Sequence, residues 1–159
     1  WVGPDYFAGY WIVIAIFSVS AALLLIRIQA LKSNEAFWSP PTRRVVNAMI
    51  PLLLAGLGLG ILEMINKPNV RTSVILAAHW MILYGGALHA AGFFMQRGIK
   101  LLGWIYIILG SFLLIFNELN VMPYLKEDNA HWLMAFAFGI INLVYGFYLK
   151  LTEESSETK

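Results

Sequence analysis

Five apolar runs divide this chain, at about 6–26, 45–65, 73–95, 99–116 and 130–149. Each is long enough to cross about 30 Å of hydrocarbon as a helix. Hydrocarbon offers no hydrogen-bonding partner, so a spanning segment must satisfy its own backbone, and only helices and closed barrels do that. Runs such as "AALLLI" and "GSFLLIF" are apolar on every face and show no strand-like alternation, which argues against a barrel. The predicted fold class is all-α: a polytopic integral membrane protein, one domain over 1–150, built as a bundle of five transmembrane helices. The short connections make consecutive helices antiparallel neighbours. Composition agrees, with 60% hydrophobic and 13% charged residues, far from the near-half and near-quarter of soluble domains.

The basic residues give this bundle a direction. Arg27, Lys32, Arg43, Arg44, Arg97, Lys100, Lys150 and Lys159 belong to one set of helix ends, and only Lys67, Arg71 and Lys126 to the other. The positive-inside rule then predicts an N-terminus outside, a C-terminus in the cytoplasm, and a cytoplasmic-type (inner or plasma) membrane. The net charge of +2 reflects that asymmetry and calls for no nucleic acid. The first apolar run is followed by a basic segment and carries no small-residue cleavage site, unlike a secretory signal peptide. There is no cysteine, which removes disulfides, thiolate metal sites and iron–sulfur clusters.

Local signals refine the elements. The segment 27–44, with Phe37 and Trp38, is expected along the cytoplasmic surface, and Ser39-Pro40-Pro41 suits a helix start with Ser as cap. Pro51 removes a backbone bond to Asn47 and predicts a kink there, with the Asn side chain serving the freed groups. The tail 151–159, "LTEESSETK" from its first residue, is expected to be disordered. At an offset of 52, Ala78-His79-Trp80 falls on Ala130-His131-Trp132, which raises the possibility that helices two and three duplicate helices four and five.

Small and polar residues indicate which faces look inward. Gly56, Gly60 and Glu63 share a face of the second helix; Gly85, His89 and Gly92 share one on the third, with His79 and Gly86 adjoining. Gly103, Gly110 and Asn117 align on the fourth, and His131, Ala135, Gly139, Asn142 and Gly146 on the fifth. The first offers Ala8, Ala15, Ser18 and Ala22. A compact five-helix bundle follows, packed through glycines.

Glu63, His79, Glu118 and His131 all fall in the predicted outer half and form a candidate cluster for a ligand, a divalent cation or protons. No Glu-xx-His or His-Glu-xx-His spacing is present, so the four would have to converge from separate elements. The bland alternative is that Glu63 and His79 satisfy each other or a backbone group, with Glu118 and His131 wetted at the interface. His89, deeper and four residues after Gly85, is a possible haem or chlorin ligand with space for a flat macrocycle over that turn. The glycines of "GLGLG" at 56–60 follow no strand and cradle no phosphate.

"FWSPP" together with Trp132, Phe136, Ala137 and Asn142 is similar to fragments of the tryptophan-rich sensory, or translocator, proteins. The second helix contains no tryptophan, however, and that family's aromatic signatures in helices two and three are absent, so no ligand or site is carried over.

The sequence favours a membrane-embedded binding or accessory subunit without recognisable catalytic machinery, its partners being the lipid bilayer and either other membrane subunits or a lipophilic small molecule. A His-ligated cofactor protein, carrying haem, chlorin or a metal, and a proton-coupled small transporter remain open as alternatives. No cofactor is required by the sequence.

Overall fold

The computed structural model describes residues 3–32, 38–66, 70–95, 97–119 and 127–157. Phe37, Lys67, Asn120, Lys126 and Lys159 lie outside the described residues. Four helices run singly: α1 (Pro4–Lys32), α2 (Pro40–Ile65), α3 (Val70–Ala91) and α4 (Arg97–Glu118). The fifth rod is compound: α5 (Glu127–Met134), a π-helical segment (Ala135–Ile141), and α6 (Asn142–Glu157). Five helices are thus long and apolar enough to cross a membrane, and the described residues contain no strand.

α3 is the centre of the fold. Its buried residues include Ser73, Val74, Leu76, Ala77, Ala78, Met81, Gly85, Ala87 and Ala91, and among the described side chains none of its large apolar residues is exposed, whereas every other rod exposes several. The α3–α4 seam is closed backbone to backbone. A Cβ at Gly85 would sit 2.6 Å from the Gly103 carbonyl oxygen, one at Gly103 would sit 2.7 Å from the His89 nitrogen, and one at Gly110 2.8 Å from the Ala78 oxygen. Glycine is required at these positions by space alone.

α2 packs on α3 in a different way. Gly56 and Gly60 leave a groove, and what fills it is the indole of Trp80, 3.4 Å from a Cβ at Gly56 and 2.9 Å from one at Gly60. Trp80 Nε1 donates to the Gly56 carbonyl at 2.8 Å, so the groove also satisfies the indole's donor. Phe7 of α1 lies over the same ring, with centroids 6.3 Å apart.

The five-helix bundle is less even than expected. α1 is held at its start, where Phe7 and Ala8 are buried at 1% exposure and Ile12 meets Gly60. No residue of α1 after Ala8 is buried, and Ala15, Ser18 and Ala22, expected to face inward, are exposed. Small residues create an interface only where a neighbouring helix is within reach, and α1 has none beyond its first turns.

Several boundaries also shift. α1 continues to Lys32, six residues past its predicted end. The third helix stops at Ala91 instead of 95. Gly92 N–H bonds to the Leu88 carbonyl, Phe93 and Phe94 turn back on Ala90 and Ala91, and Gly92 yields its side-chain space to Lys100. α6 extends to Glu157, beyond the predicted end of the fifth span at 149. α2 starts at Pro40 as predicted, yet Ser39 makes no side-chain cap, since its hydroxyl bonds to that of Thr42 at 2.8 Å. α2 passes through Pro51 without interruption, and Asn47 is exposed.

The seam makes a sharp prediction. Gly103→Val should destabilise the protein by about 3 kcal/mol, since the backbone it meets cannot step aside. Gly58→Ala, with open space around it, should be neutral or stabilise by up to about 1 kcal/mol. Detergent unfolding midpoints of the two variants check this; similar midpoints would refute the close-packed seam.

Candidate functional site

The four residues of the predicted cluster do not converge. Glu63, near the end of α2, is hydrogen-bonded to the Thr72 and Ser73 side chains of α3, and its Oε1 is buried without a partner. His79 is directed along its own helix, with Nδ1 donating to the Ile75 carbonyl at 2.8 Å. Glu118 pairs with Arg71 at 3.0 Å, both side chains being more than half exposed, a contact worth at most about 1 kcal/mol. Only His79 and Glu118 share a cavity, between α3 and α4. Among the described residues no group of three or more His, Asp or Glu is placed to hold a metal.

His131 departs furthest from the expectation of a wetted interface. It is 2% exposed, its Nδ1 accepts the Trp11 Nε1 proton at 3.1 Å, and the Phe7 and Tyr10 rings meet it edge-on at 5.0 and 5.7 Å. It fastens α1 to α5. Trp80 is packed in the α2 groove whereas Trp132 is 61% exposed, so the two Ala-His-Trp triplets occupy unlike surroundings.

His89 lies against Phe93 and Trp104, with ring centroids at 5.5 and 5.4 Å. The space above Gly85, expected to admit a flat macrocycle, is taken by the α4 backbone at Gly103. Of the eight glycines expected to pack helices, Gly56, Gly60, Gly85, Gly92, Gly103 and Gly110 do so. Gly139 and Gly146 have nothing within 4 Å of a Cβ, because the fifth rod turns Ala137, Phe138, Ile141 and Tyr145 inward instead.

A separate site lies between α2, α3, α4 and α6. A cavity of about 270 Å³ there is walled by apolar side chains such as Met49, Leu88 and Leu102, and three polar ones reach it: Tyr84, Asn142 and Tyr145. Tyr106, wholly buried, stands behind them. Its hydroxyl donates to the Ala137 carbonyl and accepts from Asn142 Nδ2 at 3.0 Å. Asn142 Nδ2 also reaches the Phe138 carbonyl at 3.0 Å, and the Asn142 side chain is hydrogen-bonded to Tyr84. Tyr84 meets the Tyr106 ring edge-on at 5.0 Å.

The π-helical turns make this network possible. Loosening the regular ladder leaves the Ala137 and Phe138 carbonyls able to accept side-chain donors from Tyr106 and Asn142. Tyr145, one turn further along α6, has its hydroxyl buried with no partner, 3.0 Å from where a side chain at Gly98 would begin. Among the described residues the polar groups on the cavity wall are two phenols and an amide, which offer hydrogen bonds and no charge. An inward Asn142 was legible from helical spacing. The tyrosines were not singled out, although hydroxyls near the middle of apolar runs, away from the ends where Tyr usually sits, were the available signal.

Tyr106→Phe should therefore cost about 1–3 kcal/mol, leaving the Ala137 carbonyl without its hydroxyl donor and Asn142 short of an acceptor. Tyr6→Phe, at an exposed position, should cost nothing measurable. Urea unfolding in micelles would decide it, and equal stability of the two variants would remove the network from the account.

Compared with protein-family models, curated proteins and solved structures, the chain matches none.

Proposed function

We propose that this chain is an integral protein of a cytoplasmic-type membrane, N-terminus outside and C-terminus inside, that binds a small lipophilic molecule between α2, α3, α4 and α6. The observation that carries the reading is an apolar cavity with the side chains of Tyr84, Asn142 and Tyr145 on its wall. A ligand's apolar body would lie against those apolar walls, and its polar group would meet the few hydrogen-bonding side chains among them. Membrane embedding is supported by the exposed apolar side chains on four of the five rods, among them Phe17, Leu24, Leu54, Phe112 and Phe147. That is far more than a water-soluble surface tolerates.

A second reading, as an accessory subunit, draws on α1, in which no residue after Ala8 is fully buried and most from Val13 onward are exposed, so that much of a long apolar helix is open to lipid or to another membrane subunit. The two readings are compatible, since the cavity and the outward face of α1 involve different residues.

Gentle detergent purification followed by extraction and mass spectrometry should reveal a lipophilic compound bound near one per chain. Asn142→Leu should reduce its occupancy about tenfold, because it removes the amide and releases Tyr84 and Tyr106 beside the cavity, and Tyr145→Phe by less, because it removes a single hydroxyl. The same content in wild type and both variants would end this reading. Orientation is tested separately. The chain has no cysteine, so Leu119→Cys and Lys150→Cys each introduce a unique thiol, and an impermeant maleimide added to intact cells should label the first alone. Labelling of the second alone would invert the assignment.

A further inference from the structure

The two ends of the bundle carry opposite charge. Ile12 against Gly60, Trp80 against Gly56, Gly103 against Gly85 and Tyr145 against Gly98 pair neighbouring rods head to tail. They gather the end of α1, the start of α2, the end of α3, the start of α4 and the later turns of α6 at one end of the molecule. By chain position that end has eight Lys and Arg against four Glu, and the other end has three against five acidic residues. Arg27, Lys32, Arg43, Arg44 and Lys150 are exposed, and the one ion pair among the described residues, Arg71 with Glu118, is at the other end. α2 and α4 both begin at the basic end without an acidic residue in the first turn, so no side chain there offsets the positive ends of their dipoles. The excess of positive charge is met from outside the chain.

Depth decides the kind of anion that can meet it. Arg27 directly follows the first apolar run, Arg44 directly precedes the second, and Lys150 directly follows the fifth. In a spanning chain these positions are level with the lipid phosphates, and the exposed indole of Trp38, just before α2, suits the same layer. A soluble polyanion would have to reach past the headgroups to touch them. A zwitterionic lipid brings a cation with its phosphate and leaves the excess as it was, whereas a lipid of net negative charge reduces it.

We propose that this end of the protein selects anionic phospholipid in the leaflet it faces, with Arg43 and Arg44 as the principal contact. Both guanidinium groups are exposed on the first turns of α2, and a guanidinium offers a phosphate two parallel N–H donors. The surface is distinct from the Asn142 cavity and shares with the preceding reading only the premise that the chain is embedded in a membrane.

The test adds equal amounts of phosphatidylglycerol and phosphatidylcholine with the same acyl chains to the delipidated whole chain in a neutral maltoside, and counts bound lipid by native mass spectrometry. The expected result is a preference for phosphatidylglycerol of about fivefold or more, weakening as salt is raised. Replacing both Arg43→Gln and Arg44→Gln should bring the ratio close to one, and Arg71→Gln, at the opposite end, should leave it unchanged. Equal binding of the two lipids by the wild type would overturn the proposal whether or not any variant folds. A preference that survives the double substitution, or one that Arg71→Gln abolishes, would place the anion elsewhere and overturn it as well. Glycerol phosphate, the charged headgroup without chains, should not displace the lipid at matched concentration; displacement would make this a site for a soluble phosphate and count against a lipid surface. Should the double variant not fold, Arg43→Gln alone takes its place, with a lower ratio expected and an unchanged one counting against the proposal. The co-purifying compound of the Asn142 cavity is read from a different experiment, so either reading can fail without the other.

Discussion

Along the α3–α4 seam two helix backbones are in direct contact, and both cavities depend on it. Gly85, Gly103 and Gly110 bring the axes so close that carbonyl oxygens occupy the space side chains would need. In lipid, where burying apolar surface gains nothing over leaving it against acyl chains, contact of this kind is what holds helices together. It also fixes the register of α4 against α3. Tyr106 lies beside Gly85 because a Cβ at Gly85 would be 2.8 Å from the Tyr106 Cβ, and a larger residue at either glycine would carry the tyrosine away from Asn142. On its outer side the same seam sets Asn117 and His79 in one groove.

The fifth rod meets this rigid pair by giving up regularity. An uninterrupted α-helix would keep the Ala137 and Phe138 carbonyls in its own ladder, and the Tyr106 hydroxyl, wholly buried, would then lack its carbonyl acceptor. The π turns exchange backbone bonds of good geometry for two side-chain bonds to those carbonyls. Such an exchange is stable only if the side chains are held independently, as Tyr106 is by α3. The irregular segment is therefore a consequence of the seam, and the cavity beside it follows from both.

Helix number, approximate bounds and the inward direction of Gly85, Gly103 and Gly110 were legible in the sequence, since each follows from a local rule about apolar length or residue size. The separation of Glu63, His79, Glu118 and His131 was not. Helical spacing says which residues share a face of one helix and how deep they lie, but not which neighbour that face meets. Glu63 faces Thr72 and Ser73, His131 faces α1 through Trp11, and His79 looks toward α4. Equal depth placed the four together, and helix arrangement separates them. The fate of α1 had the same origin: Ala15, Ser18 and Ala22 form a small-residue face, and nothing local reveals that no helix comes to meet it. The π segment was hidden for a further reason, because "AFAFGII" is compatible with ordinary α-helix and becomes π only where Tyr106 and Asn142 compete for its carbonyls.

Four buried polar atoms lack partners among the described residues: Glu63 Oε1, His89 Nδ1, Asn117 Nδ2 and Tyr145 Oη. Taken alone, none points to a ligand, since each is a cost the fold carries. Their surroundings separate them. Glu63 has its other contacts in Thr72 and Ser73, His89 is enclosed by Phe93 and Trp104, and neither lines one of the two cavities. Asn117 and Tyr145 each stand on the wall of one, with further hydrogen-bonding side chains beside them. Asn117 and Tyr145 thus differ from Glu63 and His89 in being residues that line a cavity, although all four atoms are themselves enclosed by protein.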